Sequence, residues 1–141
     1  MYKNILFPVE LEHTVEAEKA LALAIDEARR SQAKLTVMTA APGFGMPIVA
    51  SYFEANAVKG ALKEVARHLK RYIADHVPDD IETKAVVVEG NPGELILKQA
   101  QQDAADLIVI PSHNSKIENL FLGSVAAQVV RHATCTVTVV K

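Results

Sequence analysis

The sequence predicts an α/β fold: a doubly wound, five-stranded parallel sheet with helices on both faces. Three observations predict it. Short runs rich in β-branched residues alternate with long amphipathic helical patterns. The segments between those runs are too long for hairpins, so the strands run parallel. The first run, Asn4 to Val9, is continuous in its apolar residues, as strands covered on both faces are.

Asn4 to Val9 reads as the first buried strand. Thr14 is the expected N-cap of the next helix, with Glu16 and Glu18 in its first turn and Arg29 and Arg30 in its last. Each charge sits where the helix dipole favours it. Ala17, Leu21, Ala24 and Ala28 form its apolar stripe. Leu35 to Thr39 is the second strand, and the prolines and glycines of Pro42 to Pro47 make a loop. A long helix is expected from about Ser51 to His76, with Val58, Leu62, Val65, Leu69, Tyr72, Ile73 and His76 on one face. His68 and His76 flank that stripe and are expected to be partly in the core. Thr83 to Val88 is the third strand. Asn91 then reads as an N-cap, Pro92 as the first helical position, and Glu94 as the third residue after the cap, in a helix carrying Leu95, Ile96 and Ala100. Leu107 to Ile110 is the fourth strand. Val125, Val129 and Val130 belong to a short last helix, and Thr136 to Val140 is the fifth strand. Residues 1–141 are expected to form one domain.

Half the residues are hydrophobic, 23% are charged, and the net charge is −2. No block of Lys or Arg could neutralise a row of phosphates, so no nucleic-acid partner is expected. Cys135 is the only cysteine, which excludes an internal disulfide and fits a reducing compartment. The first residues, MYKNILFPVE, lack the features of a signal peptide. No apolar stretch approaches the ~20 residues needed to cross a bilayer, so membrane insertion is not expected and the location expected is the cytoplasm.

Open parallel sheets bind ligands outside the carboxyl ends of their strands, where strand order reverses. Here those ends are Pro8, Val9 and Glu10; Thr39 and Ala40; Val88 to Gly90; and Ile110, Pro111, Ser112, His113 and Asn114. Gly123-Ser124 joins them as the start of the last helix, whose free N–H groups make an anion site that glycine lets a phosphate approach. The plainer reading of Ser124 is a helix N-cap. His132 and Cys135, lacking a second pair, make a poor zinc site. There is no P-loop motif, no G-x-G-x-x-G after the first strand and no G-x-S-x-G, so the residues alone give a possible phosphate crevice and no reaction.

NILFPVE, EGNPGELILKQA, ADLIVIPSH and LFLGSVAAQVVRHATCTVTVV occur in this order and span nearly the whole chain. In these segments the chain resembles the universal stress proteins of the single-domain bacterial type, most specifically in the pattern GSVAxxVxRHAxCxVxVV. Nucleotide-binding members carry G-x-x-G, nine residues, then G-[ST]. Here Pro111 and Asn114 stand at the two glycines, and eight residues separate Asn114 from Gly123. Glu10 replaces an aspartate, and Ala40 replaces a valine that packs on adenine. The shortened loop resembles the F/G-type branch, whose members can still hold ATP. The resemblance implies a Rossmann-like fold of universal stress protein type. It also implies ATP, with magnesium as its companion, bound by Pro8, Val9, Glu10, Ala40, Ile110, Pro111, Ser112, His113, Asn114, Gly123, Ser124 and Val125, with no catalytic residue and no metal ligand assigned. The function expected is a cytoplasmic stress-response regulator with little or no turnover. The alternatives are a nucleotide-independent dimeric interaction module and, ranked last, a slow ATP hydrolase using His113 or Glu10. A homodimer through Thr136 to Val140, at an unblunted sheet edge, is expected from the topology and matches the resemblance.

Overall fold

A computed structural model of the chain describes residues 1–41, 55–112 and 123–141; of residues 55–58 it describes the backbone only. The expected loop at 42–47, the helix start near Ser51, the side chain of Val58, and His113 and Asn114 lie outside what is described. Among the described residues, strands and helices alternate: β1 (Asn4–Pro8), α1 (Glu18–Ser31), β2 (Lys34–Ala41), α2 (Ala55–His76), β3 (Thr83–Glu89), α3 (Pro92–Gln102), β4 (Leu107–Pro111), α4 (Ser124–His132) and β5 (Thr136–Val140). The strands form one sheet in the order β3-β2-β1-β4-β5, every pairing parallel. Strand order therefore reverses at β1 and β4, in the middle of the sheet.

Strand side chains alternate between two cores. On one face Ile5, Phe7, Leu35, Val37, Leu107 and Val109 pack with Ala20, Leu21, Ala24 and Ala28 of α1 and Leu69 and Tyr72 of α2. On the other, Leu6, Met38, Ile108 and Ile110 pack with Ile96 of α3 and Ala126 and Val129 of α4. Small residues let α3 and α4 approach closely. A Cβ built on Gly93 would lie 2.0 Å from Gln128 Oε1.

Two helix starts differ in their match to the sequence pattern. Asn91 caps α3 as expected, its Oδ1 accepting the Glu94 N–H at 3.2 Å, with Pro92 opening the helix. Thr14 does not cap α1. The N-cap is Ala17, because Ala17 N–H donates to Thr14 O and Glu18 N–H to Val15 O. These tight turns occupy 14–17, and the first α-type bond is Leu21 N–H to Ala17 O. Glu16 thus lies in the turn, 3.7 Å from the His13 imidazole, while Glu18 alone is acidic in the first helical turn.

The long helix buries Leu69 and Tyr72 and half-buries Leu62, Val65 and Ile73, whereas His76 is exposed, its ring 4.8 Å from that of Tyr72. His68 is also exposed rather than partly in the core. On α4, Val130 is 46% exposed, while Ala126 and Val129 face the sheet.

Candidate functional site: a crevice where strand order reverses

The site begins with a proline. The carbonyl of Lys3 accepts from Lys34 N–H, and Val9 N–H donates to Met38 O, so the odd-numbered residues of β1 bond towards β2. Asn4 O accepts from Asp106 N–H, so the even-numbered residues bond towards β4. Pro8 is even-numbered and has no N–H to give. β1 accordingly stays in register with β2 from Asn4 to Pro8 but with β4 at Ile5 and Leu6. Beyond that point β4 follows β5, the Ser112 N–H donating to Val140 O at 2.9 Å. The two central strands part, and a crevice opens between their carboxyl ends.

The crevice holds about 380 Å³. From the β1 side it is walled by Pro8, Val9, Glu10, Leu11 and Glu12, and from β2 by Met38 to Ala41. Val65 and His68 of α2 and Pro92 and Ile96 of α3 add walls, and Ile110 and Pro111 close the β4 side. At one end lie Gly123 and the first residues of α4, Ser124 to Ala126. Gly123 is the N-cap of α4, with no side-chain cap among the described residues, and Ser124 is the first helical residue. Ser124 is therefore not the cap that its type suggests. The first-turn N–H groups and the positive end of the helix dipole meet the crevice at that point.

Of the residues expected to bind, Pro8, Val9, Glu10, Ala40, Ile110, Pro111, Gly123, Ser124 and Val125 line this one space. Ser112 is not among the lining residues; its backbone extends the β4–β5 ladder. His113 and Asn114 fall outside the described residues. Val88 to Gly90, at the end of edge strand β3, do not line the crevice, whereas Thr39 does. Besides Met38, Pro92, Ile96 and Ala126, which were read only as parts of strands and helices, the pattern missed Leu11, Glu12, Ala41, Val65 and His68. The signal for the last two was a polar residue three positions after an apolar one, at the border of the α2 stripe.

The charged groups of the lining are carboxylates at the mouth: Glu10 and Glu12. Glu10 Oε2 is 3.8 Å from His13 Nε2, and the same imidazole reaches Glu16, which ties the loop after β1 together. Away from the crevice, burial pushes the Cys135 thiol up, which keeps it protonated. Among the described residues no group of three or more His, Cys, Asp or Glu side chains could hold a metal ion.

The family model described as "Universal stress protein family" matches residues 1–141. The chain belongs to the universal stress protein family. A universal stress protein of Staphylococcus aureus is 30% identical, the match covering 99% of this chain and 84% of that one. A universal stress protein of Methanocaldococcus jannaschii is 28% identical over 100% of this chain and 96% of its own. That protein's solved structure superposes with a TM-score of 0.81 at 27% identity, again covering 100% and 96%. Two more distant universal stress proteins of solved structure share the fold. One is in complex with cAMP (24% identity, TM-score 0.63, coverage 99% and 96%). The other, from Archaeoglobus fulgidus, is in complex with dAMP (23%, 0.62, 99% and 98%).

Proposed function

We propose that this universal stress protein binds an adenine nucleotide in the crevice between β1 and β4, with ATP and its magnesium the first choice. We further propose that it acts as a cytoplasmic stress-response regulator with little or no turnover. One observation carries the reading. The N-terminus of α4, begun by a glycine with no side-chain cap among the described residues, opens onto a largely apolar crevice at the point of strand-order reversal. An uncapped helix start suits a phosphate, and apolar walls suit a base. Glu10 and Glu12 are the lining carboxylates that could meet a magnesium ion held mainly by phosphate and water. The cAMP and dAMP complexes of relatives with this fold support the same choice of ligand class.

Purified protein, denatured to release small molecules, should yield adenine absorbance and a nucleotide mass, and the emptied protein should bind ATP in calorimetry. Finding neither adenine nor heat would sink the reading. The nucleotide-independent interaction module would then stand. Pro111, which removes an N–H at the crevice, favours that module.

A further inference from the structure

If the phosphate sits at the start of α4, the position of the base follows from the sheet. Strands lie about 4.8 Å apart, so β2 is about 10 Å from β4 across the top of β1. That is comparable to the reach from the α-phosphate to the base in a nucleotide. The base therefore falls at the end of β2, where Ala40 and Ala41 each offer a single carbon. The other wall there is α2, through Val65 and His68, which lie about one helical turn apart. Val65 is half-buried and His68 exposed, as expected of side chains bordering an open crevice.

We propose that His68 is a specificity residue for the nucleotide, its imidazole lying against the base as an aromatic platform while Val65 supplies apolar contact beside it. The proposal rests on the nucleotide reading above. An aromatic face favours the larger π-surface of a purine over a pyrimidine. Among the described residues, the lining carboxylates Glu10 and Glu12 lie on the β1 side, while Val65, Ala40 and Ala41 line the crevice with His68.

Calorimetry with ATP and with CTP tests this on the parent, His68→Ala and His68→Phe. His68 is exposed, so both variants should fold, and circular dichroism verifies that they do. The parent should prefer ATP to CTP. His68→Ala should lose about tenfold in affinity for ATP and much less for CTP. His68→Phe should keep the parent's ratio, which a role confined to folding would not predict. The proposal is overturned if the parent holds ATP and CTP alike. It also falls if His68→Ala leaves their ratio unchanged, or if His68→Phe loses the preference as alanine does. A parent that binds neither nucleotide overturns the nucleotide reading itself, and this proposal with it.

Discussion

Gly123 has φ −59 and ψ 155, a conformation open to any L-residue, so its hydrogen side chain is not demanded by the backbone. A substitution there probes the approach of a ligand rather than strain. Gly123→Val should abolish ATP binding by calorimetry while the protein stays folded, at a cost of about 1 kcal/mol because valine is a poor N-cap. Binding equal to the parent's would show that phosphate does not meet this helix. Ser124→Ala should weaken binding less, because the N–H donors remain. Since Ser124 is the first helical residue and not the cap, stability should move by no more than about 0.5 kcal/mol. Asp103 contributes to the pH dependence. Burial opposes its charge, but Gln99, Lys84 and Thr36 donate hydrogen bonds to it, and the carboxyl ends up below its ordinary value. Gln99 Nε2 lies at 3.0 Å and Lys84 Nζ at 3.1 Å. A depressed carboxylate contributes stability that is complete above the unfolded-state value of 3.8 and is lost as the pH falls below it. Asp103→Asn should cost about 1 kcal/mol at neutral pH. Its urea midpoint should also decline less steeply than the parent's below that pH, and parallel curves would contradict this. Pro8 was visible in the sequence as the end of a strand. That it faces β4, and so parts the central strands, depends on the parity of the ladder, which no single residue states.

At the scale of elements, period and cap residues carried most of the information. The stripe of α1 and the cap, proline and glutamate of α3 are local features, and local chemistry decides them. Thr14 had the right type for a cap, but the turns at 14–17 delay the helix to Glu18. The faces of α2 could be read from its period, yet periodicity cannot say which turn of a helix overhangs a neighbouring crevice, so His68 read as partly in the core. The same helix carries Gly60, exposed, with nothing described within 4 Å of an added Cβ. Gly60→Ala should therefore stabilise the protein by about 0.5–1 kcal/mol through the unfolded chain's lost freedom. Calorimetric Tm should rise by roughly 2–4 °C. A fall would mean that the alanine meets something at this helix surface.

For the whole molecule, alternation of strands and helices was enough to foresee a parallel sheet, and β5 does lie at an edge. The strand order itself required the pairing. We propose that two copies join through the outer side of β5. Val140 O bonds to Ser112 on β4, so by alternation Val137 and Val139 direct their N–H groups outward. Their side chains pack against the core with α3 and α4, so charging them would damage folding as well as association. Val139→Pro is the cleaner test, because it removes one outward donor and leaves the β4 ladder in place. The parent should sediment as a dimer and the variant as a monomer of about 15.3 kDa. A monomeric parent at micromolar concentration would refute the proposal, as would a proline variant that stays dimeric.

The central place of β1 has a consequence for how the molecule comes into being on a ribosome. β2 reaches β1 early, but β4 begins only at Leu107, after β3 and α3 have been made. At about 5–20 residues per second, β1 waits about 5–20 s with the side that bears Asn4 and Leu6 unpaired. In that interval the middle of the finished sheet is an exposed edge, open to strands of other nascent chains. Pro8 shortens the exposed row of donors by one. Because one wall of the crevice is translated at Pro8 and the other at Ile110, the crevice is among the last features to exist. A chain arrested before β4 would carry half of the walls and no place for a ligand.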